Sequence, residues 1–210
     1  MYVGRIVGVG RTRAGANSAL YRVSSRSFPN RRAVELNGHL AIIPREGHEA
    51  DLQKSPYISY NCLRVAGEWA VVSNGSQTDP IAEKILMGVP VRDALASVLL
   101  ALDYEKDDHH TPRIAGAVPF AGERAWLGIV RQDALAIKSI PLEAGRVSYL
   151  ATYVIDDVDP ARSSEFDARS AVAAARFVVD GGAFAAFEHP VTSAAALVES
   201  GRFALATWLV

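Results

Sequence analysis

Cysteine is almost missing. Cys62 is the only one in 210 residues, so no intrachain disulfide can form. That economy suits a reducing compartment, and the expected location is cytoplasmic. Lysine is scarce too: Lys54, Lys84, Lys106 and Lys138 stand against 18 arginines. The formal net charge is -1, without the basic excess that nucleic acid or an anionic membrane would attract. No apolar run approaches ~18 residues, so nothing reads as a membrane span. The opening MYVGRIVGVGR has neither the apolar core nor the cleavage site of a signal peptide. Gly8-Val9-Gly10 precedes no helix pattern, and no other run reads as a P-loop or dinucleotide fingerprint.

What is present is enough apolar residue, 50% of the chain, for one compact domain spanning 1–210. The first third predicts strands over Tyr2–Val9 and Ala19–Ser24, then hairpins around Asn37-Gly38 and Gly67-Glu68. A helix should follow, capped by Thr78 or Asp79 and stopped by Gly88. A second runs from Val91 to Tyr104, with Val91, Leu95, Val98, Leu99 and Leu102 on one face. Strands resume over Arg113–Val118, Ala125–Val130, Ala134–Ile140 and Arg146–Ile155. Asp159-Pro160 is read as opening an Ala-rich helix that stops at Gly181-Gly182, His189–Glu199 as a fourth helix, and Phe203–Leu209 as a closing strand. Strand and helix blocks segregated in this way predict layered α+β packing.

Residues 21–32 hold the densest polar cluster, with four arginines, three serines and Asn30. Arginine forks and serine hydroxyls are what a phosphomonoester needs, although a solvated loop reads the same way. Tyr57–Cys62 puts Tyr, Ser, Tyr and Asn on one strand. Alternation then sends Tyr60 and Asn61 to opposite faces. Asn74-Gly75 permits a left-handed turn ahead of a helix start that can bind an anion or simply be capped. Asp103–Asp108 ends the second helix. The macrodipole there disfavours a carboxylate and would raise its pKa, with Lys106 opposing the shift. Asp107, Asp108, His109 and His110 lack the spacing of a metal site, and none is expected. Cys62 is a nucleophile candidate without an assigned histidine, and His189 reads as a helix cap.

Taken in order, YRVSSRSFPNR (21–31), PYISYNC (56–62), VSNGSQTD (72–79), LDYEKD (102–107), TPRIA (111–115) and GGAFAAFEHPVTSAAA (181–196) resemble the archaeal-type IMP cyclohydrolase family. The resemblance runs from Met1 nearly to the C-terminus. Only the 14–17 and 119–124 loops look idiosyncratic. It implies a four-layer αββα sandwich like that of N-terminal-nucleophile hydrolases. Tyr2 after Met1 offers no such nucleophile, so no autocatalytic cleavage is expected. The implied reaction closes 5-formamidoimidazole-4-carboxamide ribotide (FAICAR) to inosine 5′-monophosphate (IMP) and water, without metal or cofactor. Tyr60 and Glu105 would handle protons, and Lys106 with Asn61 or Asn74 would polarise or position the reacting groups. Ser24, Arg26, Asn30, Arg31, Asn61, Asn74 and Tyr104 would bind the nucleotide. A non-catalytic purine-ribonucleotide-binding module and an amidohydrolase using Cys62 or an internal serine are the alternatives. No nucleic-acid or membrane partner is expected, and a homo-oligomer is left open.

Overall fold

A computed structural model describes residues 1–210. Six strands form one antiparallel sheet: β1 (Ile6–Arg11), β2 (Asn17–Ser24), β10 (Arg146–Ala151), β11 (Ser163–Glu165), β12 (Pro190–Glu199) and β13 (Arg202–Leu209), ordered β11-β10-β1-β2-β12-β13. The other seven form a second sheet in simple chain order: β3 (Arg31–Leu36), β4 (His39–Pro44), β5 (Tyr60–Ala66), β6 (Trp69–Ser73), β7 (Arg113–Pro119), β8 (Arg124–Arg131) and β9 (Ala134–Pro141). Helices α1 (Thr78–Leu86) and α2 (Val91–Leu102) cover the outer face of the seven-stranded sheet, and α3 (Ala171–Asp180) covers the other. The result is the expected α+β sandwich in the layer order αββα.

Three apolar layers follow from strand alternation. Val7, Val9, Tyr21, Leu63, Val72, Leu127 and Leu150 fill the space between the sheets. Leu20, Val147 and Ala195 turn outward to Ala174, Ala175 and Val178 of α3. Val71 and Ala115 meet Ile81, Leu95 and Leu99 of α1 and α2. Both hairpins form as expected, with Asn37, Gly38 and Gly67 at positive φ in their turns.

Several boundaries differ from expectation. Residues 190–199 are strand β12, lodged between β2 and β13, not a helix. Its alanines suggest a helix by propensity. The strand, however, is buried on both faces, with Ala194 and Ala196 in the inter-sheet core and Ala195 under α3. Small side chains let α3 approach closely enough for Ser193 Oγ to donate to Ala175 O at 2.5 Å. The third helix starts at Ala171, where Ser170 Oγ accepts from Ala173 N, and not at Asp159-Pro160. Asp159 instead closes a turn on Ala161 N, and β11 follows. β10 ends at Ala151, short of Ile155, because Val154 takes φ 66°. α2 stops at Leu102, short of Tyr104, with Asp103 at φ 55°. Gln77 precedes α1 as its cap, without a side-chain cap bond, in place of Thr78 or Asp79.

Arg22 fastens α3 to the sheet. It is completely buried and faces no carboxylate. Its guanidinium donates to the carbonyls of Val179 (3.0 Å), Phe184 (2.9 Å) and Phe187 (2.6 Å), and to Ser24 Oγ (2.9 Å). Val179 belongs to the last turn of α3, where carbonyls have no partner within the helix. Burial pulls the Arg22 pKa down to about 10. Replacing Arg22 with Met should cost roughly 3–9 kcal/mol, because it strands three carbonyls at ~1–3 kcal/mol each. Urea unfolding checks this. A midpoint within error of wild type would show that the carbonyls find other donors.

Candidate active site

The sheets part at one end, where β1, β3, β5 and β7 begin and β2, β6 and β10 finish. The segments leaving these ends line a cleft of about 360 Å³. Tyr2 and Arg5 enter from before β1, residues 25–28 from the β2–β3 connection, and Arg31 from the first position of β3. Ser55, Tyr57 and Ile58 precede β5, Glu105, Asp107 and His109 follow α2, and Tyr153 follows β10. The volume and the mixed lining suit a small metabolite.

The β2–β3 segment supplies donors. Arg31 is 2% exposed, yet only its Nε is engaged, on Phe28 O at 3.1 Å. Its two terminal nitrogens make no bond within the chain. Arg26 lies over the Tyr2 ring, 4.3 Å from the centroid, with Glu188 3.6 Å from its terminal nitrogen. Ser25 Oγ accepts from Phe28 N at 3.0 Å and fixes the turn. Ser25 and Ser27 both border the cleft.

Facing them is a buried carboxylate. Glu105 is 1% exposed. Its Oε2 accepts from Arg5 at 2.8 Å. Its Oε1 has no hydrogen-bond partner, the nearest cation being Arg113 at 3.9 Å. Burial pushes the carboxyl above the usual glutamate range, against Arg5 and Arg113, which pull it down. The helix macrodipole is not the cause, since Glu105 lies beyond the end of α2. Lys106 does not oppose the shift either: its Nζ pairs with Asp103 at 2.5 Å and sits over the Tyr104 ring. Arg113 is held by Gln77 Oε1 at 3.0 Å, and Gln77 by Asn74 Oδ1 at 2.7 Å. A Cβ on Gly75 would come within 2.9 Å of that Arg113 nitrogen. Gly75 is therefore there for close approach, and neither it nor Asn74 adopts the left-handed turn expected of the pair. Thr111 Oγ1 donates to Asp107 at 2.7 Å and so accepts from Tyr153 Oη at 2.8 Å, which fixes the far wall.

Of the expected residues, Arg26, Arg31 and Glu105 share the cleft. Tyr60 lies behind it, 8% exposed, bonded to Tyr21. Ser24 is buried against Arg22, and Asn30 serves through its carbonyl, which accepts from Arg45 N. Asn61 points to the opposite face, onto Asp79 at 3.0 Å, as alternation demands. Asn74 is fully buried and satisfied by Pro112, Gln77 and Ile114. Lys106 and Tyr104 pair with each other outside the lining. Tyr57, which belongs to the marked Tyr57–Cys62 run but carries no assigned role there, lines the cleft together with Arg5 and Tyr153, which no local pattern marks. His189 at φ 55° caps no helix, since a strand follows it. Cys62 is fully buried, its thiol donates to Leu40 O, and burial pushes its pKa up. It has no route to a substrate.

The fold is an α+β sandwich whose cleft sets Arg26 and Arg31 opposite a buried, half-partnered carboxylate, an arrangement able to hold a small anionic metabolite. A family model described as "IMP cyclohydrolase-like protein" matches residues 2–202, and the chain belongs to that family. It is 46% identical over 196 residues to an IMP cyclohydrolase of Methanosphaera stadtmanae, covering 93% of this chain and 94% of the relative. An IMP cyclohydrolase of Methanocella arvoryzae is 48% identical over 209 residues, covering 99% and 98%. One of Natronomonas pharaonis is 47% identical over 204 residues, covering 97% and 96%.

Proposed function

We propose that this chain, acting as one catalytic domain over residues 1–210, closes FAICAR to IMP with release of water. The observation that carries the reading is the unpartnered, buried Oε1 of Glu105 on the wall of a cleft whose opposing loop offers Arg26, Arg31 and two serine hydroxyls. The arginines and serines take the 5′-phosphate and ribose, and this fixes where the base lies. The carboxamide nitrogen then attacks the formyl carbon within the same molecule, so positioning lowers much of the barrier. Glu105 accepts the proton that this nitrogen loses, and the formyl oxygen becomes the hydroxyl of a carbinolamine. Tyr60 delivers a second proton to that hydroxyl, which leaves as water. The former formamide nitrogen gives up its own N–H proton as the ring C=N bond forms, so the two hydrogens lost from nitrogen balance those of the water. Arg5 keeps Glu105 in place and limits the cost of its charge.

Ultraviolet-monitored conversion of FAICAR by the purified protein, with no cofactor added, tests the reading. A binding module would bind IMP and turn nothing over. A cysteine amidohydrolase would need a reachable thiol, which the burial of Cys62 argues against. No helix is long and apolar enough to cross a membrane, and a purine-forming activity fits a cytoplasmic setting.

Arg31 provides a separate test of nucleotide binding. Replacing it with Gln keeps a polar side chain and removes the fork. IMP affinity should fall by about 1.5–3 kcal/mol, the worth of one charge-assisted hydrogen bond. Calorimetric titration gives the number. Unchanged affinity in both Arg26→Gln and Arg31→Gln would mean that the phosphate is held elsewhere.

A further inference from the structure

Tyr21 of β2 and Tyr60 of β5 face each other across the inter-sheet core, one from each sheet. Their hydroxyl oxygens are 2.6 Å apart, with the rings edge-on at 76°. Two phenols share one hydrogen bond, so one proton lies in it and the other must go elsewhere. The surroundings decide which. Tyr21 is wholly buried, and its hydroxyl has no bond other than the one to Tyr60. Were Tyr60 the donor, the Tyr21 proton would be enclosed without an acceptor, which folded proteins avoid. With Tyr21 as donor, every group is satisfied except the Tyr60 proton. Tyr60 is the residue of the two with residual exposure, 8% against none for Tyr21, and Arg5 and Arg31 of the cleft lie near enough to act on it electrostatically.

We propose that Tyr21 is the positioning residue of the site: it donates to Tyr60 Oη and leaves the Tyr60 proton to be delivered toward the bound nucleotide. The inference rests on the reading of Tyr60 as a proton donor to FAICAR. The electrostatics agree with the assignment. Burial raises both phenols, and Tyr21 further through its partner. Tyr60 is drawn back down by Arg31, Arg5 and the bond from Tyr21. After Tyr60 gives up its proton, the same bond and the same two cations steady the phenolate. Tyr21 thus acts on the reaction without touching the substrate.

Tyr21→Phe keeps the ring and removes the bond. It should lower kcat roughly 10–100-fold, the worth of one hydrogen bond to a developing charge, with KM, IMP affinity and Tm near wild type. In a Tyr60→Phe background the same change should cost nothing further, because the bond is already gone. A wild-type kcat in Tyr21→Phe, or an equal additional loss in the Tyr60→Phe background, would overturn the proposal while leaving Tyr60 itself untouched. A wild-type rate in Tyr60→Phe alone would remove the parent reading instead, and the inference with it. NMR of the unmodified protein carrying Cζ-labelled tyrosine gives an answer that needs no variant. The slowly exchanging hydroxyl proton of the pair should be assigned to Tyr21, and its assignment to Tyr60 would reverse the proposed direction.

Discussion

Glu105→Gln should lower kcat by ~10²–10⁴-fold, the usual range for a lost acid or base, while IMP still binds. Gln matches Glu in shape and can still accept from Arg5, so the position is kept and only proton transfer is lost. The sign of the pH effect is fixed by the surroundings. Burial raises the Glu105 carboxyl above the ordinary glutamate range, against the two arginines. A base works in its ionised form, so wild-type kcat should decline as pH falls through this raised value. That acid limb should lie above the range of an exposed glutamate and be absent from the residual activity of Glu105→Gln. Stopped-flow turnover across pH, alongside IMP titration, measures both. A wild-type rate in the variant would make Glu105 a structural partner of Arg5.

The part of this site that the sequence displays is the part made by one segment. Residues 21–31 concentrate their donors within a few positions, and Arg26 and Arg31 line the cleft as their spacing suggests. Glu105 was singled out for its place near a helix end, but its chemistry comes from elsewhere. Arg5 is one hundred residues away in sequence and reaches Glu105 only because the starts of β1 and β7 meet at one end of the sandwich. No periodicity or motif carries that pairing. Asn61 and Asn74 mislead for a related reason. An amide in a strand or turn looks available until its partners, Asp79 and the Gln77–Ile114 pair, are seen.

Strand pairing shows the same division. The Asn37-Gly38 and Gly67-Glu68 hairpins are local, and their turn residues specify them. β12 is not local. Its helical reading came from alanine content, and its strand conformation comes from β2 and β13 on either side and from burial on both faces. Tertiary context outweighs the modest helix preference of alanine. The Ala171 start of α3 was legible in Ser170, a good cap, but was obscured by the Asp159-Pro160 turn twelve residues earlier.

Tyr60→Phe is expected to match Glu105→Gln in size, a ~10²–10⁴-fold loss of kcat with IMP affinity retained, for the complementary reason. Ring closure takes one proton from each of two nitrogens and must place two on the formyl oxygen, the second as it departs. Burial raises the Tyr60 phenol and keeps it protonated near neutrality, while Arg31 and Arg5 hold it below what burial alone would give. That suits a donor, and Glu105 suits an acceptor. Phe preserves the packing between the sheets but strands the Tyr21 hydroxyl, so stability should drop by ~1–3 kcal/mol. The catalytic loss is larger than that and is separable from it, because the folded fraction can be measured in the same sample. Single-turnover conversion of FAICAR isolates the chemical step from product release. If Tyr60→Phe closes the ring at the wild-type rate, the donor is a phenol that lines the cleft directly. Tyr57 is then the first to test, because its Oη accepts from Lys106 N at 3.3 Å and so keeps its own proton free.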